Sequence, residues 1–155
     1  MSEGETTRLI AWARELTAVH ARLRRAIRVA EDAAGDGAAQ RASRDLLLFC
    51  HGFCAALSAH HVGEDRTLFP AIAAAHPELG ETIRLLEQDH SMIGHLLDGL
   101  RSAVDEGGSP ERLRVHLEGI GAIMESHFRY EERALGQVLE TLELDRPPGE
   151  VFGPL

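Results

Sequence analysis

Apolar residues recur at intervals of three and four along most of the chain, which is the period of amphipathic α-helices. Four segments show this pattern, roughly at residues 5–34, 38–75, 77–106 and 110–144. Signals for strands are nearly absent, because the sequence has no alternating β-branched runs and no Asn-Gly hairpin turns. The pattern therefore predicts an all-α protein.

Turn and capping signals separate the four segments. A Gly35-Asp36-Gly37 turn ends the first segment, and Pro70 predicts a break within the second. Gly107 and Gly108 end the third segment, and Ser109-Pro110 then predicts an N-cap followed by proline at the first helical position. Four long helices with short loops predict an up-down-up-down four-helix bundle. We expect residues 1–145 to form this bundle and the Pro-rich residues 146–155 to form a short irregular tail, whose apolar end could dock on the bundle or on a neighbouring chain.

Each segment carries one apolar stripe, and polar residues interrupt each stripe at one place. The apolar members are Ile10, Ala13, Leu16, Leu23, Ile27; Leu46, Phe49, Phe53, Leu57, Leu68; Ile83, Leu86, Ile93, Leu97, Leu100, Val104; and Leu113, Leu117, Ile120, Met124, Leu135, Val138, Leu142. The interruptions are His20, His60, Glu64, His90, His127 and Glu131. The spacing directs all of these polar residues towards the bundle axis, and they meet if the helix ends place them at a common height.

Two carboxylates in a bundle core are costly unless a positive charge compensates them, since desolvating one ion costs several kcal/mol. No Arg falls on the stripes beside Glu64 and Glu131, so a metal ion would have to supply the charge. Positions i and i+4 of a helix lie one turn apart on the same side, so His60 and Glu64 can address one centre. Imidazole and carboxylate donors suit iron, manganese or zinc, whereas iron–sulfur clusters and most structural zinc sites need thiolates.

An internal repeat predicts two such half-sites. Residues 60–68 match residues 127–135 at His, Glu, the following acid, Arg and Leu, and Leu16-x3-His20 matches Leu86-x3-His90. The chain is therefore interpreted as two αα-hairpins, each supplying one His and one His-x3-Glu. A pseudo-twofold bundle built in this way offers places for two metal ions.

This arrangement resembles the hemerythrin-like (HHE cation-binding) family, over roughly residues 10–140. The family pattern has His on helix one, His-x3-Glu on helix two, His on helix three and His-x3-Glu on helix four. Residues 64–70 are also similar to the acid-rich run of the family that ends in Leu-Phe-Pro. The resemblance implies two iron ions bridged by oxo or hydroxo, with manganese or zinc less favoured, and reaction with O₂, peroxide or a similar small molecule.

One departure from that pattern affects the expected function. Oxygen-carrying hemerythrins have a second His four residues after the helix-three ligand, where this chain has Gly94. His95 points roughly 140° away from His90 on a helix, so we expect that it is not a ligand. A centre with fewer histidines is more open, which favours redox turnover of the oxidase, peroxidase or catalase type, with a reduced organic cofactor as a candidate electron donor.

Two alternatives to an enzyme remain open. The chain could bind, sense or store O₂, iron or nitric oxide without turnover, or it could be a metal-free helical interaction protein. The sequence also leaves open whether Glu87 and Tyr130, which lie three residues from His90 and His127, join the site. The remaining histidines are expected at the surface or in a second layer: His51, His61, His76 and His116.

The net charge, the apolar runs and the cysteines indicate which binding partners, cellular location and thiol state to expect. The formal net charge of −9 argues against nucleic acid and anionic membranes, since phosphate binding relies on basic patches. No uninterrupted apolar run approaches the roughly 20 residues of a membrane span, and no secretory signal is evident, so a cytoplasmic location is expected. Cys50 and Cys54 are expected to be buried free thiols, since helical positions four apart are poorly placed for a disulfide. The oligomeric state is left open.

Overall fold

The computed structural model describes residues 3–35 and 42–154, with side chains from Trp12 onward. Its helices are α1 (Glu3–Gly35), α2 (Arg44–Gly63), α3 (Phe69–Ala75), α4 (Gly80–Asp105), α5 (Pro110–Leu139) and α6 (Pro148–Phe152). A π-helical turn, Glu64–Leu68, joins α2 to α3, and a 3₁₀ turn, Pro77–Leu79, precedes α4. No strand occurs within the described ranges.

The four long helices form the predicted bundle. Helix α1 packs beside α2, α2 beside α4, α4 beside α5, and α5 closes the bundle against α1. Because the connection between α4 and α5 is short, and α2 passes through α3 into α4 without a long loop, chain neighbours run antiparallel. The predicted all-α bundle is confirmed.

Serine caps fix two of the helix starts. Ser109 Oγ accepts a hydrogen bond from the Arg112 backbone N–H at 3.2 Å, with Pro110 at the first helical position, as the sequence predicted. Ser43 Oγ accepts one from the Leu46 N–H at 3.1 Å, so α2 starts later than the predicted beginning near Ala38. Ala38 itself, and Asp36 and Gly37 of the predicted turn, lie outside the described residues.

Most of the predicted stripe positions are buried in the core. The clear exception is Phe49, which is 41% exposed, so its assignment to the core stripe of α2 is wrong. Ala13, Val104 and Val138 are partly buried against the core, and the side chain of Ile10 lies outside the described ones. Cys50 and Cys54 are the buried free thiols that the sequence predicted.

The predicted break near Pro70 takes the form of the π turn. Pro70 has no N–H to donate to the carbonyl four residues earlier, and the wide turn at Glu64–Leu68 comes immediately before it. The backbone N–H of Phe69 bonds the Glu64 carbonyl, five residues back. Single π turns within helices are frequent at functional sites, and this one begins at a glutamate that the sequence singled out.

The tail ends in the single helical turn α6, which packs against α2, the π turn and α1. Val151 and Phe152 are fully buried there, which places the apolar end of the tail on its own bundle. Leu155 lies outside the described residues. The helical stretch Arg44–Ala75 contains a window of 18 residues with a mean hydropathy of 1.3, so it is long and apolar enough to cross a membrane, but core helices of soluble proteins share that property.

Candidate metal centre

The structure brings the six predicted polar residues together in one buried layer of the bundle. They come from all four long helices and the π turn, and none is more than 5% exposed. Antiparallel neighbours therefore place the stripe interruptions at a common height, as the two-hairpin interpretation required. The residues are His20 of α1, His60 of α2, Glu64 of the π turn, His90 of α4, and His127 and Glu131 of α5.

Four of these side chains form one group of converging donor atoms. Ligand atoms of His20, His60, Glu64 and Glu131 all lie within 4.8 Å of one another. His20 Nε2 is 3.3 Å from Glu131 Oε1, and His60 Nε2 is 3.3 Å from Glu64 Oε1. The first hairpin thus contributes two imidazoles and one carboxylate to this group, and the second hairpin contributes one carboxylate.

A second group consists of histidines alone. Ligand atoms of His61, His90 and His127 also lie within 4.8 Å of one another. The two glutamates connect the groups, because Glu64 Oε1 is 3.4 Å from His90 Nε2 and Glu131 Oε2 is 3.3 Å from His127 Nε2. The layer therefore contains two neighbouring clusters with both carboxylates between them.

His61 was expected at the surface or in a second layer, and that expectation is wrong. Its side chain is only 5% exposed, and its ring is stacked on that of His90 with the centroids 3.8 Å apart. The sequence does contain a signal for it, because a second buried stripe runs along α2 at intervals of four and three. That stripe consists of Cys50, Cys54, Leu57, His61, Glu64 and Leu68.

A hydrogen-bond acceptor outside the layer orients each of four imidazoles through Nδ1. His90 donates to Asp65 at 2.7 Å, His127 to Asp89 at 3.0 Å and His20 to Glu132 at 3.1 Å. The fourth, His60, donates to a backbone carbonyl, that of Phe152 in α6, at 2.9 Å. With Nδ1–H engaged outwards, the lone pair of each neutral ring is at Nε2 and faces the centre, which is how metal-binding histidines are usually held.

The inward-facing atoms lack partners among the described residues. No group with hydrogen-bond geometry meets Nε2 of His20, His60 or His61, or any carboxylate oxygen of Glu64 or Glu131, although all are buried. The Nε2 atoms of His90 and His127 face each other at 3.0 Å, an approach that repels two lone pairs unless a cation or proton lies between them. Buried polar atoms without partners are rare and costly. A pair of cations bound among these nitrogens and oxygens would satisfy all of them.

Comparison with known proteins agrees with this geometry. The family model described as the hemerythrin HHE cation binding domain matches residues 13–139. The chain belongs to the hemerythrin HHE cation-binding family. The match begins within α1, ahead of His20, and ends with α5, so it contains both donor groups of this HHE domain. Searches among curated proteins and among solved structures found no significant match.

The imidazoles of the HHE centre differ in protonation. Burial lowers the pKa of His60 to about 3, and burial together with the neighbouring histidines lowers the pKa of His61 well below its usual value. Burial also acts to lower the pKa of His20 and of His90, but the adjacent carboxylates outweigh it and both pKa values are raised. Burial therefore favours the neutral forms of His60 and His61, whereas the adjacent carboxylates favour the protonated forms of His20 and His90 when no metal is bound.

The two glutamates are affected in opposite directions. Burial, and then the charge of Glu131, raise the pKa of Glu64 well above its usual value. Burial acts the same way on Glu131, but its contacts with His127, His20 and His90 outweigh it and lower its pKa well below the usual value. The metal-free centre thus keeps Glu64 protonated beside an ionised Glu131, because two ionised carboxylates would repel each other in a site shielded from water.

The other polar residues considered from the sequence lie outside both donor groups. His95, His51 and Glu87 are exposed, in agreement with the expectation that His95 is not a ligand. His76 is partly exposed and contacts Glu78 at 3.2 Å. The last two, Tyr130 and His116, are partly buried, and Tyr130 packs against the core.

Proposed function

We propose that this HHE protein is a non-haem diiron protein that binds and reacts with O₂ or peroxide. The observation that carries the proposal is the convergence of buried ligand atoms from five imidazoles and two carboxylates. The inward atoms of three of those imidazoles and of both carboxylates have no partner among the described residues. Nitrogen and oxygen donors without thiolate suit iron, and they also suit manganese or zinc. Iron is favoured because it supplies the electron transfer that O₂ or peroxide chemistry needs, which zinc does not.

The donor atoms divide naturally between two ions. His20 and His60 would hold one ion, and His61, His90 and His127 would hold the other, with Glu64 and Glu131 between them. The ion held by two histidines would have the smaller number of protein ligands. A small molecule would therefore bind on the side of His20 and His60, where both rings are fully buried. Phe128 is stacked on His20 there, so that side favours a neutral diatomic molecule over a charged one.

The outer hydrogen bonds favour redox turnover over passive binding. Carboxylates, not neutral groups, accept the Nδ1–H of His20, His90 and His127, and such acceptors increase the electron donation of an imidazole to a bound metal. More basic ligands stabilise the higher oxidation state of a metal and so favour loss of electrons to an oxidant. Side chains of Asp65 and Asp89 are 39% and 34% exposed, and they could pass protons from solvent, which reduction of O₂ or peroxide consumes.

Binding or sensing of O₂, iron or nitric oxide without turnover is the second candidate. His61 favours it, because a fifth imidazole offsets the histidine that helix α4 lacks at Gly94. The expectation that the missing histidine leaves the centre more open therefore loses its basis. The hydrogen-bonded carboxylates still favour turnover, and we retain it as the leading function.

The electron donor and the cellular setting are parts of the same proposal. A reduced organic cofactor is the proposed donor, and the cytoplasm the proposed location. The net charge of −9 supports the absence of nucleic acid and anionic membrane from the partners. Turnover by this centre would make the chain an oxidoreductase.

Oxygen consumption by the iron-loaded protein separates the two candidates. With a chemical reductant in excess, turnover predicts O₂ uptake or peroxide loss that continues for many equivalents per chain. Asp65→Asn should slow it, because an amide makes His90 less basic, whereas Asp98→Asn on the exposed face of α4 should not. A single equivalent of O₂, bound and then released intact under vacuum, would favour the binding candidate and contradict turnover.

A further inference from the structure

The C-terminal segment, residues 147–154, reaches the metal centre through its backbone. We propose that this segment, which we call the strap, positions His60 for metal binding, and that docking of the strap and binding of one metal ion strengthen each other. The inference rests on the proposed function only in assuming that the centre binds metal. The strap follows the four long helices in the chain and contributes no metal ligand, so the proposed function alone gives it no role.

The contact that links the strap to the centre is the hydrogen bond from His60 Nδ1–H to the Phe152 carbonyl, at 2.9 Å and fully buried. It is the only one of the four Nδ1 contacts whose acceptor is a backbone atom. The ring centroid of Phe152 lies 5.9 Å from that of His60. If the strap undocked, His60 would lose its hydrogen-bond acceptor, the Phe152 carbonyl, and its contact with the Phe152 ring.

Two glycines allow the strap to come this close. A Cβ atom added at Gly153 would lie 2.9 Å from both the Ala59 carbonyl carbon and the His60 backbone nitrogen, and its φ of +87° also disfavours any side chain. A Cβ atom added at Gly63 would lie 2.8 Å from the Val151 carbonyl oxygen. Backbone therefore packs on backbone on both sides of the contact, and one methyl group at either glycine would push the strap outwards.

The strap contributes nothing to the other donor group in the described contacts. His90 and His127 donate their outer hydrogen bonds to Asp65 and Asp89, which belong to the π turn and α4. Loss of strap docking should therefore weaken the ion held by His20 and His60 more than its neighbour. Linkage requires the reverse as well, so metal bound at His60 must stabilise the docked strap by the same factor.

The fluorescence of Trp12 reports whether the strap is docked. This residue is the single tryptophan of the chain, it is 2% exposed, and its ring meets that of Phe152 edge-on with the centroids 5.8 Å apart. An undocked strap would uncover it. Zinc is the appropriate probe metal, because it neither absorbs visible light nor undergoes redox chemistry, and so does not itself quench tryptophan emission.

The experiment is a zinc titration of the metal-free full chain, with affinity measured by competition with a chromophoric chelator and Trp12 exposure by acrylamide quenching. Gly153→Ala and Gly63→Ala are the test variants. Their controls are Gly149→Ala and Gly52→Ala, positions where an added Cβ meets nothing within 4 Å. We expect zinc to reduce quenching in the parent protein. We expect each test variant to show more quenching and about tenfold weaker binding of one zinc ion, with the other little changed.

The outcomes separate the two proposals. If the parent protein binds no zinc or iron, the proposed function fails. If the parent binds zinc and both test variants bind both ions within twofold of their controls, the positioning role of the strap is overturned while the proposed function stands. Equal weakening of both ions would also overturn it, since general destabilisation would act in that way. Using two independent glycines keeps the test decisive if one variant fails to fold.

Discussion

His61 and Phe128 occupy equivalent positions in the two halves of the bundle, directly after His60 and His127. Each ring is stacked on a histidine of the neighbouring helix, with centroids 3.8 Å apart: His61 on His90, and Phe128 on His20. The repeat in the sequence is thus reproduced in the packing, but only one of the two stacked rings carries nitrogen. This single difference gives one side of the centre three imidazoles and the other side two.

Replacing His61 by Phe tests whether its nitrogen is a ligand. His61→Phe should keep the stack on His90 and make the two halves alike, while one of the two metal ions binds more weakly by about tenfold or more, equivalent to about 1.4 kcal/mol. Metal content and affinity measured by chelator competition report the change. His95→Phe, at an exposed position on α4, is the control. Unchanged affinity for both ions in His61→Phe would make His61 a packing residue only.

Glu64 should be required for metal binding, and in the metal-free protein it should lower the free energy of unfolding. Its carboxyl is fully buried, neither oxygen has a hydrogen-bond partner among the described residues, and its pKa is raised by burial and by Glu131. Glu64→Leu should therefore raise the free energy of unfolding of the metal-free protein by about 1–2 kcal/mol, while reducing metal binding severely. Thermal unfolding in the presence of a chelator and metal analysis measure the two effects. A metal-free variant less stable than the parent would show that Glu64 has a structural partner.

Metal binding should release protons and strengthen as pH rises from 6 to 8. The pKa values of Glu64, His20 and His90 are raised, so these groups hold protons in the metal-free protein that a metal must displace. His60, with a pKa lowered to about 3, is already neutral over this range and contributes no pH dependence. Zinc titrations in weak buffer with a pH indicator measure the release. An affinity independent of pH between 6 and 8 would contradict these protonation states.

The same shifts give the metal-free protein a stability that depends on pH in both directions. The raised pKa values of His20 and His90 mean that the native state holds more protons than the unfolded one above about pH 6.5, so stability is lost as pH rises through the folded pKa values. The lowered pKa values of His60 and His61 mean that stability is lost as pH falls below about 6.5. Together they outweigh Glu64, whose raised pKa acts in the opposite direction above about pH 4.5. Urea unfolding in chelator should therefore show greatest stability near pH 6.5. A stability that stays flat from pH 5 to 8 would argue against these assignments.

The cysteines should be inert in the folded protein. Burial raises the pKa of both Cys50 and Cys54 to about 11, so at pH 8 only about one molecule in a thousand carries a thiolate at either position. Alkylation by iodoacetamide should be at least about a hundredfold faster in denaturant than in buffer. Metal removal should have little effect, because neither thiol belongs to a donor group. Rapid labelling of the native protein would show that this part of α2 opens readily.

Six donor residues could be predicted from the sequence because each interrupts an otherwise apolar stripe at a helical interval. His61 was missed because a helix buried against two neighbours has two stripes, and only one was followed along α2. Phe49 was assigned to the core because it lies three residues after Leu46, but the buried face continues from Leu46 at Cys50, four residues on, and leaves Phe49 exposed. The regular spacing from Cys50 to Leu68 marks the stripe that faces the centre.

Other parts of the site cannot be predicted from the types of residue in the sequence. The acceptor for His60 is a backbone carbonyl, and every residue has one, so nothing in the sequence identifies Phe152 as its owner. The prolines of the tail predict the end of a long helix but not the direction in which the chain returns. The π turn at Glu64 depends on tertiary packing around Pro70, which helix periodicity alone does not describe.

Metal content with optical spectroscopy tests the central claim most directly. The protein should be purified, loaded anaerobically with ferrous iron, freed of excess metal, and then examined before and after exposure to air. The account predicts about two iron ions per chain, as in the diiron carboxylate proteins of the ferritin-like fold, with near-ultraviolet bands that appear in air and vanish on reduction. The variant His20→Ala should retain fewer ions, since His20 belongs to one donor group only. A protein that binds no metal after anaerobic loading with iron would contradict the account.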